Sequence, residues 1–216
     1  MGSMPIERFP DPLFSDENGL LAVGGDLHPE SLLLAYRSGI FPWPMDEESP
    51  ILWFSPKNRA IIEFQNFHPS KSLIKLIKQK KYFHTIDKAF TQTIQLCSKR
   101  ETTWITAEMK SAYSLLHKQG YAHSVEIWSK ETMKLVGGVY GVEVDGVFSA
   151  ESMFHSENNT SKLALYYLIQ HLKKKGQHWI DVQVINPHLK TLGATTLSQK
   201  EFLQKLKQSQ TLNRRS

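Results

Sequence analysis

Asp181 and Gln183 stand two residues apart in the stretch Trp179-Ile-Asp-Val-Gln-Val-Ile-Asn186, so on an extended chain both side chains leave the same face. Leaving a carboxylate or an amide unpaired on a buried strand costs roughly several kcal/mol of lost hydration. The two are therefore expected to bond each other or to line a wet cleft, where such groups can hold or accept a proton. A polar ladder that only pins strand register would use the same residues. Asn186 ends the strand, where an amide is readily offered to a ligand.

Other elements must present this strand. Asn159 to Lys175 reads as the longest helix, with Leu165, Leu168, Ile169 and Leu172 on its apolar face and Gly176 as its stop. Ahead of it, Ala122 to Trp128, Lys134 to Val144 and Val147 to Phe154 read as strands, the last two joined by the hairpin signal Asp145-Gly146. Behind it come a short helix from Pro187 to Leu192 and a final helix opened by the capping box Ser198-Gln-Lys-Glu201. Further upstream, helices fit Asp87 to Cys97 and Thr106 to Gln119. Ser70 to Gln79 sets Leu73, Ile74 and Ile77 against a stripe of Lys71, Lys75 and Lys78.

The first segment holds a helix from the signal Asp26-Leu-His-Pro-Glu30 to Tyr36, stopped by Gly39, then the rigid aromatic turn Ile40-Phe-Pro-Trp-Pro44. Two strands, Ile51 to Phe54 and Arg59 to Phe64, flank Ser55-Pro56, where the domain boundary is placed. The expected fold is α+β, with a small N-terminal domain over residues 1–57 and a larger domain over 58–216.

Composition narrows the class. A chain of 216 residues that is 40% hydrophobic and 22% charged can bury a substantial core. It has no apolar run near the roughly 18 residues of a membrane helix and no secretory leader, so a cytoplasmic protein without membrane association is expected. Met1-Gly-Ser-Met4 reads as a cloning scar over residues 1–3 followed by the natural start. The single cysteine, Cys97, excludes an internal disulfide, and the nine histidines show no ligand spacing, so neither a metal nor a thiol nucleophile is indicated. Residues 1–57 carry three basic and nine acidic side chains, and the remainder 23 and 12, for net charges of −6 and +11. The basic part invites a polyanion, or is a solvated surface with a basic tail that includes Lys200, Lys205, Lys207, Arg214 and Arg215.

From residue 122 the order is three strands, a helix, a strand and a helix, which resembles the Gcn5-related acyltransferase fold. Members of that superfamily grip coenzyme A with a glycine-rich turn at the head of the long helix. Here the turn is His155-Ser-Glu-Asn-Asn-Thr-Ser161, with a glutamate and no glycine, so a carrier other than coenzyme A is expected. More specifically, eight blocks in order resemble the leucyl/phenylalanyl-tRNA–protein transferase family. They are Gly19-Leu-Leu-Ala-Val-Gly-Gly-Asp-Leu27, Tyr36-Arg-Ser-Gly-Ile-Phe-Pro-Trp43, Ile51-Leu-Trp-Phe-Ser-Pro56, Thr103-Trp-Ile-Thr106, His123-Ser-Val-Glu126, Gly137-Gly-Val-Tyr-Gly141, Glu151-Ser-Met-Phe154 and Ile180-Asp-Val-Gln-Val-Ile-Asn186. The resemblance implies transfer of Leu or Phe from aminoacyl-tRNA to proteins with an N-terminal Arg or Lys, which marks them for N-end-rule degradation, by a monomer without bound cofactor. A coenzyme A-dependent N-acetyltransferase and a non-catalytic RNA-binding module are the competing readings.

Aminolysis of an ester by an amine is already downhill, so positioning can supply much of the rate, leaving the amine proton and the developing charge to be handled. The resemblance implies that Asp181 and Gln183 form the relay for the amine, that Asn186 donates to the ester or the terminal adenosine, and that Glu151 pairs with the acceptor's cationic side chain or holds its amine. Val139, Phe148, Met153 and Leu168 are the candidates for the donor side-chain pocket, with ordinary core packing as the alternative for each. Val139 stands where the family often has methionine. Trp43, Trp104, Tyr36 and Tyr113 match family aromatics and are candidates for stacking the terminal adenine. Lys71, Lys75 and Lys78 are candidates for the tRNA backbone.

Overall fold

The computed structural model describes residues 4–99 and 103–213. The expected cloning-derived residues 1–3 and the two arginines of the basic tail lie outside them. In chain order the elements are β1 (Leu20–Val23), α1 (Pro29–Arg37), β2 (Phe41–Pro42), β3 (Leu52–Phe54), β4 (Asn58–Glu63), α2 (Lys71–Gln79), β5 (Tyr82–Ile86), α3 (Phe90–Cys97), α4 (Ala107–Lys118), β6 (Ala122–Ser129), β7 (Leu135–Val144), β8 (Val147–His155), α5 (Thr160–Lys174), β9 (Trp179–Gln183), α6 (Pro187–Lys190), β10 (Thr195–Ser198) and α7 (Gln199–Asn213). The architecture is α+β, as the sequence implies.

Strands β1 to β3 make a three-stranded sheet, and the other seven form one sheet in the order β10-β4-β9-β8-β7-β6-β5. All ladders in the large sheet are antiparallel except β8 with β9, which is parallel because α5 crosses over between them. That parallel ladder lasts for only two pairs, Phe148 with Ile180 and Ser149 with Asp181. Beyond those two pairs the ladder ends and the strands separate into a V.

Helix ends follow local chemistry. The Ser70 and Thr106 hydroxyls cap α2 and α4 by accepting from the Leu73 and Met109 N–H groups. The box at Ser198 forms as expected, its backbone N–H donating to Glu201 at 2.8 Å. Helix α3 starts at Phe90 and not at Asp87, because Asp87 adopts φ +60 and turns its carboxylate onto the His123 ring and the Ser124 N–H. The short strands β1, β5 and β10 carry no strong periodicity of their own. Their pairing to β3, β6 and β4 defines them.

Two apolar clusters cover the sheet. One packs α5 and α6 against β4, β6 to β9 and Leu73 of α2; the other unites α1, Trp53 and Phe41 of the N-terminal part with α3, α4 and β7. The last helix closes the assembly. Phe202 and Leu206 of α7 pack on Ile61 and Trp179, while the Gln199 amide donates to the carbonyls of Pro12 and Ser55 at 2.7 and 2.8 Å.

Candidate active site

The V between β8 and β9 opens into a cavity of about 430 Å³, within the range of small-molecule sites. Both strands carry an irregularity at this level. On β8, Gly141 pairs with Ala150 and Tyr140 with Ser152, so Glu151 is the extra residue of a bulge. Gly141 has no room for a side chain there, since a Cβ would sit 2.2 Å from the Ser149 carbonyl oxygen. On β9, Gln183 pairs with Ala60 and Asp181 with Ile61, which leaves Val182 as the extra residue. Gln183 itself has φ +56, and the Val184 N–H reaches back to the Val182 carbonyl at 2.7 Å. This is a γ-turn of the rarer, strained hand, a conformation that costs of order 1–3 kcal/mol and is kept where something depends on it.

The turn separates the two residues that strand alternation places together. Asp181 is 1% exposed, and its carboxylate receives Arg59 Nε at 2.8 Å, Arg59 Nη2 at 2.6 Å, Ser149 Oγ at 3.2 Å and the Gln183 backbone N–H at 3.0 Å. The expected bond between the Asp181 and Gln183 side chains is therefore replaced by one to the Gln183 backbone. The Gln183 amide turns the other way and donates to Glu151 Oε1 at 2.9 Å. Asp181 does not line the cavity, whereas Gln183, Glu151 and Asn186 do. Asn186 caps α6 through Oδ1, which accepts from the Leu189 N–H at 2.8 Å and leaves the Nδ2 donors available.

Glu151 is the most perturbed acid of the site. Burial pushes its carboxyl up to about 8, and the Asp181 charge adds to the rise, against hydrogen bonds from Tyr36 and Tyr113 and the charge of Arg59. Tyr113 donates to Glu151 Oε2 at 3.3 Å, and the Tyr36 and Tyr113 hydroxyls share a bond of 2.5 Å. Burial foremost, then Glu151, holds both phenols well above the usual tyrosine range. These tyrosines are buried behind Glu151, so neither ring face is open to an adenine. Trp43 and Trp104 do line the cavity, with Trp43 38% exposed at the rim and edge-on to Phe54.

Of the four candidates for the donor pocket, Val139 and Met153 face each other across the β7–β8 ladder and line the cavity with Ala150, Val182 and Leu189. Phe148 and Leu168 are core residues behind that floor. Lys71, Lys75 and Lys78 are exposed along α2, outside the cleft, around a shallow concavity that includes Ile74.

Arg59 is the component that strand and motif reasoning missed. It lies between the rings of Phe41 and Phe202, 4.5 and 4.6 Å from their centroids, and its Nη1 donates to the Gly39 carbonyl at 3.2 Å. The available signal was a single arginine opening the buried run Ala60-Ile61-Ile62, which requires a buried acid as partner.

Comparison with known proteins supplies the lineage. A family profile described as leucyl/phenylalanyl-tRNA protein transferase matches residues 61–207, and the profile of that family's N-terminal domain matches 25–57. The leucyl/phenylalanyl-tRNA–protein transferases of Shewanella sediminis and Shewanella woodyi are each 49% identical over 208 residues, covering 94% of this chain and 87% of theirs. Among solved structures, FemX superposes with a TM-score of 0.50 at 10% identity over 79% of this chain and 66% of that one, a likeness of fold alone. With both profiles matched in chain order and near half identity across almost the whole chain, the protein belongs to the leucyl/phenylalanyl-tRNA–protein transferase family.

Proposed function

We propose that the protein moves Leu or Phe from aminoacyl-tRNA to the α-amine of proteins with an N-terminal Arg or Lys, as a cytoplasmic monomer without bound cofactor, and so marks them for N-end-rule degradation. The observation that carries this reading is the cleft where β8 and β9 part. Its apolar floor of Val139 and Met153 suits a Leu or Phe side chain, and its polar wall of Glu151, Gln183 and Asn186 suits an amine and an ester. Trp43 and Trp104 at the cavity receive the terminal adenosine. Gln183 offers its carbonyl oxygen to the incoming N–H, because its Nε2 is committed to Glu151. Asp181 acts through the Gln183 backbone, and the lysines of α2 meet tRNA phosphates.

The change of sheet between β3 and β4 supports treating residues 1–57 and 58–216 as two domains with the adenosine site where they meet. Coenzyme A fits the α5 entrance poorly. The turn there closes on Asn159 at φ +65, and its glutamate, Glu157, is fixed in place by the Tyr82 hydroxyl at 2.5 Å, a negative charge where pyrophosphate would lie. The test is direct: a peptide with N-terminal Arg is incubated with labelled Leu-tRNA, Phe-tRNA or acetyl-coenzyme A. Label should reach the α-amine from the first two; transfer only from acetyl-coenzyme A, or tRNA binding without transfer, would refute the reading. Among the described residues no helix is long and apolar enough to cross a membrane.

A further inference from the structure

Two carboxylates stand within one hydrogen-bond step of Gln183, and they differ in what is left to them. Asp181 accepts from four donors, which fills the roughly four acceptor sites of a carboxylate, and it has no outlet to the cavity. Glu151 accepts from Gln183 on Oε1 and from Tyr113 on Oε2, with the Tyr36 hydroxyl also bonded to it, and unlike Asp181 it forms part of the cavity wall. The bulge on β8 aims it there. We infer that Glu151, and not Asp181, takes the proton released by the attacking α-amine, with Gln183 holding it at the wall and the Tyr113–Tyr36 phenols backing it. The inference rests on the transfer reaction proposed above and names the proton acceptor within it.

The electrostatic surroundings fit this task. Facing the carboxyl are Tyr36 from α1, Tyr113 from α4, Arg59 from β4 and Asp181 from β9. Burial and Asp181 raise it, while the phenols and Arg59 lower it, and the balance near 8 matches an ordinary α-amine of about 7.7–8.0. A base matched to its substrate and to the working pH transfers protons most effectively. In the balanced step the ammonium gives one proton to the ionised Glu151, and the neutral nitrogen attacks the ester carbonyl carbon. The new C–N bond forms as the C–O bond to the ribose breaks, and the second nitrogen proton goes to the departing ribose oxygen. Glu151 then loses its proton to solvent through the cavity mouth, giving an amide, a free hydroxyl and one released proton.

The test is single-turnover transfer at saturating acceptor peptide between pH 6 and 9.5, with the KM for the peptide measured separately. The unaltered protein should show a rate that climbs with pH and levels above about 8. Glu151→Gln should lower the saturated rate by roughly 100-fold or more and leave only the climb that the peptide's own α-amine gives as it loses its proton to solvent. If Glu151 only binds the acceptor's cationic side chain, the same change raises KM and leaves the saturated rate and its pH profile alone, which would overturn the inference. Tyr113→Phe covers the case in which Glu151→Gln does not fold: removing a hydrogen bond to the ionised carboxylate should move the midpoint to higher pH, and an unmoved midpoint defeats the proposal. No transfer by the unaltered protein at any pH would dispose of the transfer reading along with it.

Discussion

Arg59 and Asp181 meet through two parallel hydrogen bonds with both side chains 2% exposed, so a secluded pair of charges lies one residue from the strained turn that forms the cleft wall. Breaking such a pair on one side leaves an uncompensated buried charge at a cost of about 3–5 kcal/mol. Arg59→Met should lower stability by that order, and adding Asp181→Leu should restore much of it, since both charges then leave together. Denaturant unfolding of the two single variants and the double variant measures the coupling. Asp181→Asn keeps an oxygen for the Gln183 N–H, so it should lower stability more than it lowers the turnover of the surviving folded fraction. A stable but inactive Asp181→Asn would return this residue to the chemistry.

Gln183 offers a cleaner separation of fold from function. With φ +56, Gly at this position should be about 1 kcal/mol more stable than Ala, because only the former adopts that backbone without strain. Both variants lose the amide that faces the amine, so both should lose transfer activity alike. Melting temperatures that rank Gly above Ala, beside equally low rates, would separate the two roles.

Donor choice should respond to the cavity floor. Met153→Ala removes apolar contact worth roughly 1–3 kcal/mol and should penalise Leu more than Phe, since the larger ring recovers part of the lost contact. Val139→Met narrows the same floor from the opposite strand and should favour Leu over Phe. The kcat/KM ratio for the two donors is the measure; equal loss with both would indicate a folding defect.

The lysine stripe of α2 is tested through salt. Replacing Lys71, Lys75 and Lys78 together with Ala should weaken tRNA binding and reduce the slope of log affinity against log salt by about two, each lost phosphate contact contributing somewhat under one unit. An unchanged slope would reassign them to a solvated face.

The Asp87–His123 pair, 2.8 Å apart, provides a pH signature away from the cleft. The Asp87 hydrogen bond raises the His123 imidazole above its ordinary value, against burial. Burial pushes the Asp87 carboxyl up, yet the bonds from His123 and the Ser124 N–H bring it below the usual carboxylate value. The stabilisation carried by a raised histidine is complete below its unfolded value of about 6.5 and disappears as pH climbs through the folded value. His123→Gln should therefore reduce the melting temperature more at pH 6 than at pH 9. A difference that does not change with pH would contradict the pairing.

How much of this was legible in the chain follows from how local each signal is. The hairpin at Asp145-Gly146, the box at Ser198 and the long amphipathic helix before β9 are written within a few residues, and their elements form where those residues stand. The alternation of Asp181 and Gln183 marked the right strand, but alternation assumes a regular pleat. The bulge at Val182 and the turn at Gln183 break it, so the two side chains part, one toward Arg59 from 122 positions away and one toward Glu151. Tyr36 and Tyr113 were visible as aromatics only; that their hydroxyls meet depends on packing between α1 and α4 that no spacing encodes.

One consequence of the α7 contacts concerns the moment at which the cleft becomes complete. Phe202 forms one face of the cage around Arg59, and Gln199 ties the Pro12 and Ser55 carbonyls, yet both residues are synthesised after every strand they secure. Chains generally acquire structure from the N-terminus as they emerge, so here the order of translation runs opposite to the order of locking. A nascent chain that has exposed everything up to β10 still has one side of its central arginine open to water. The last helix is thus the closing clasp of an enzyme whose chemistry sits at its centre.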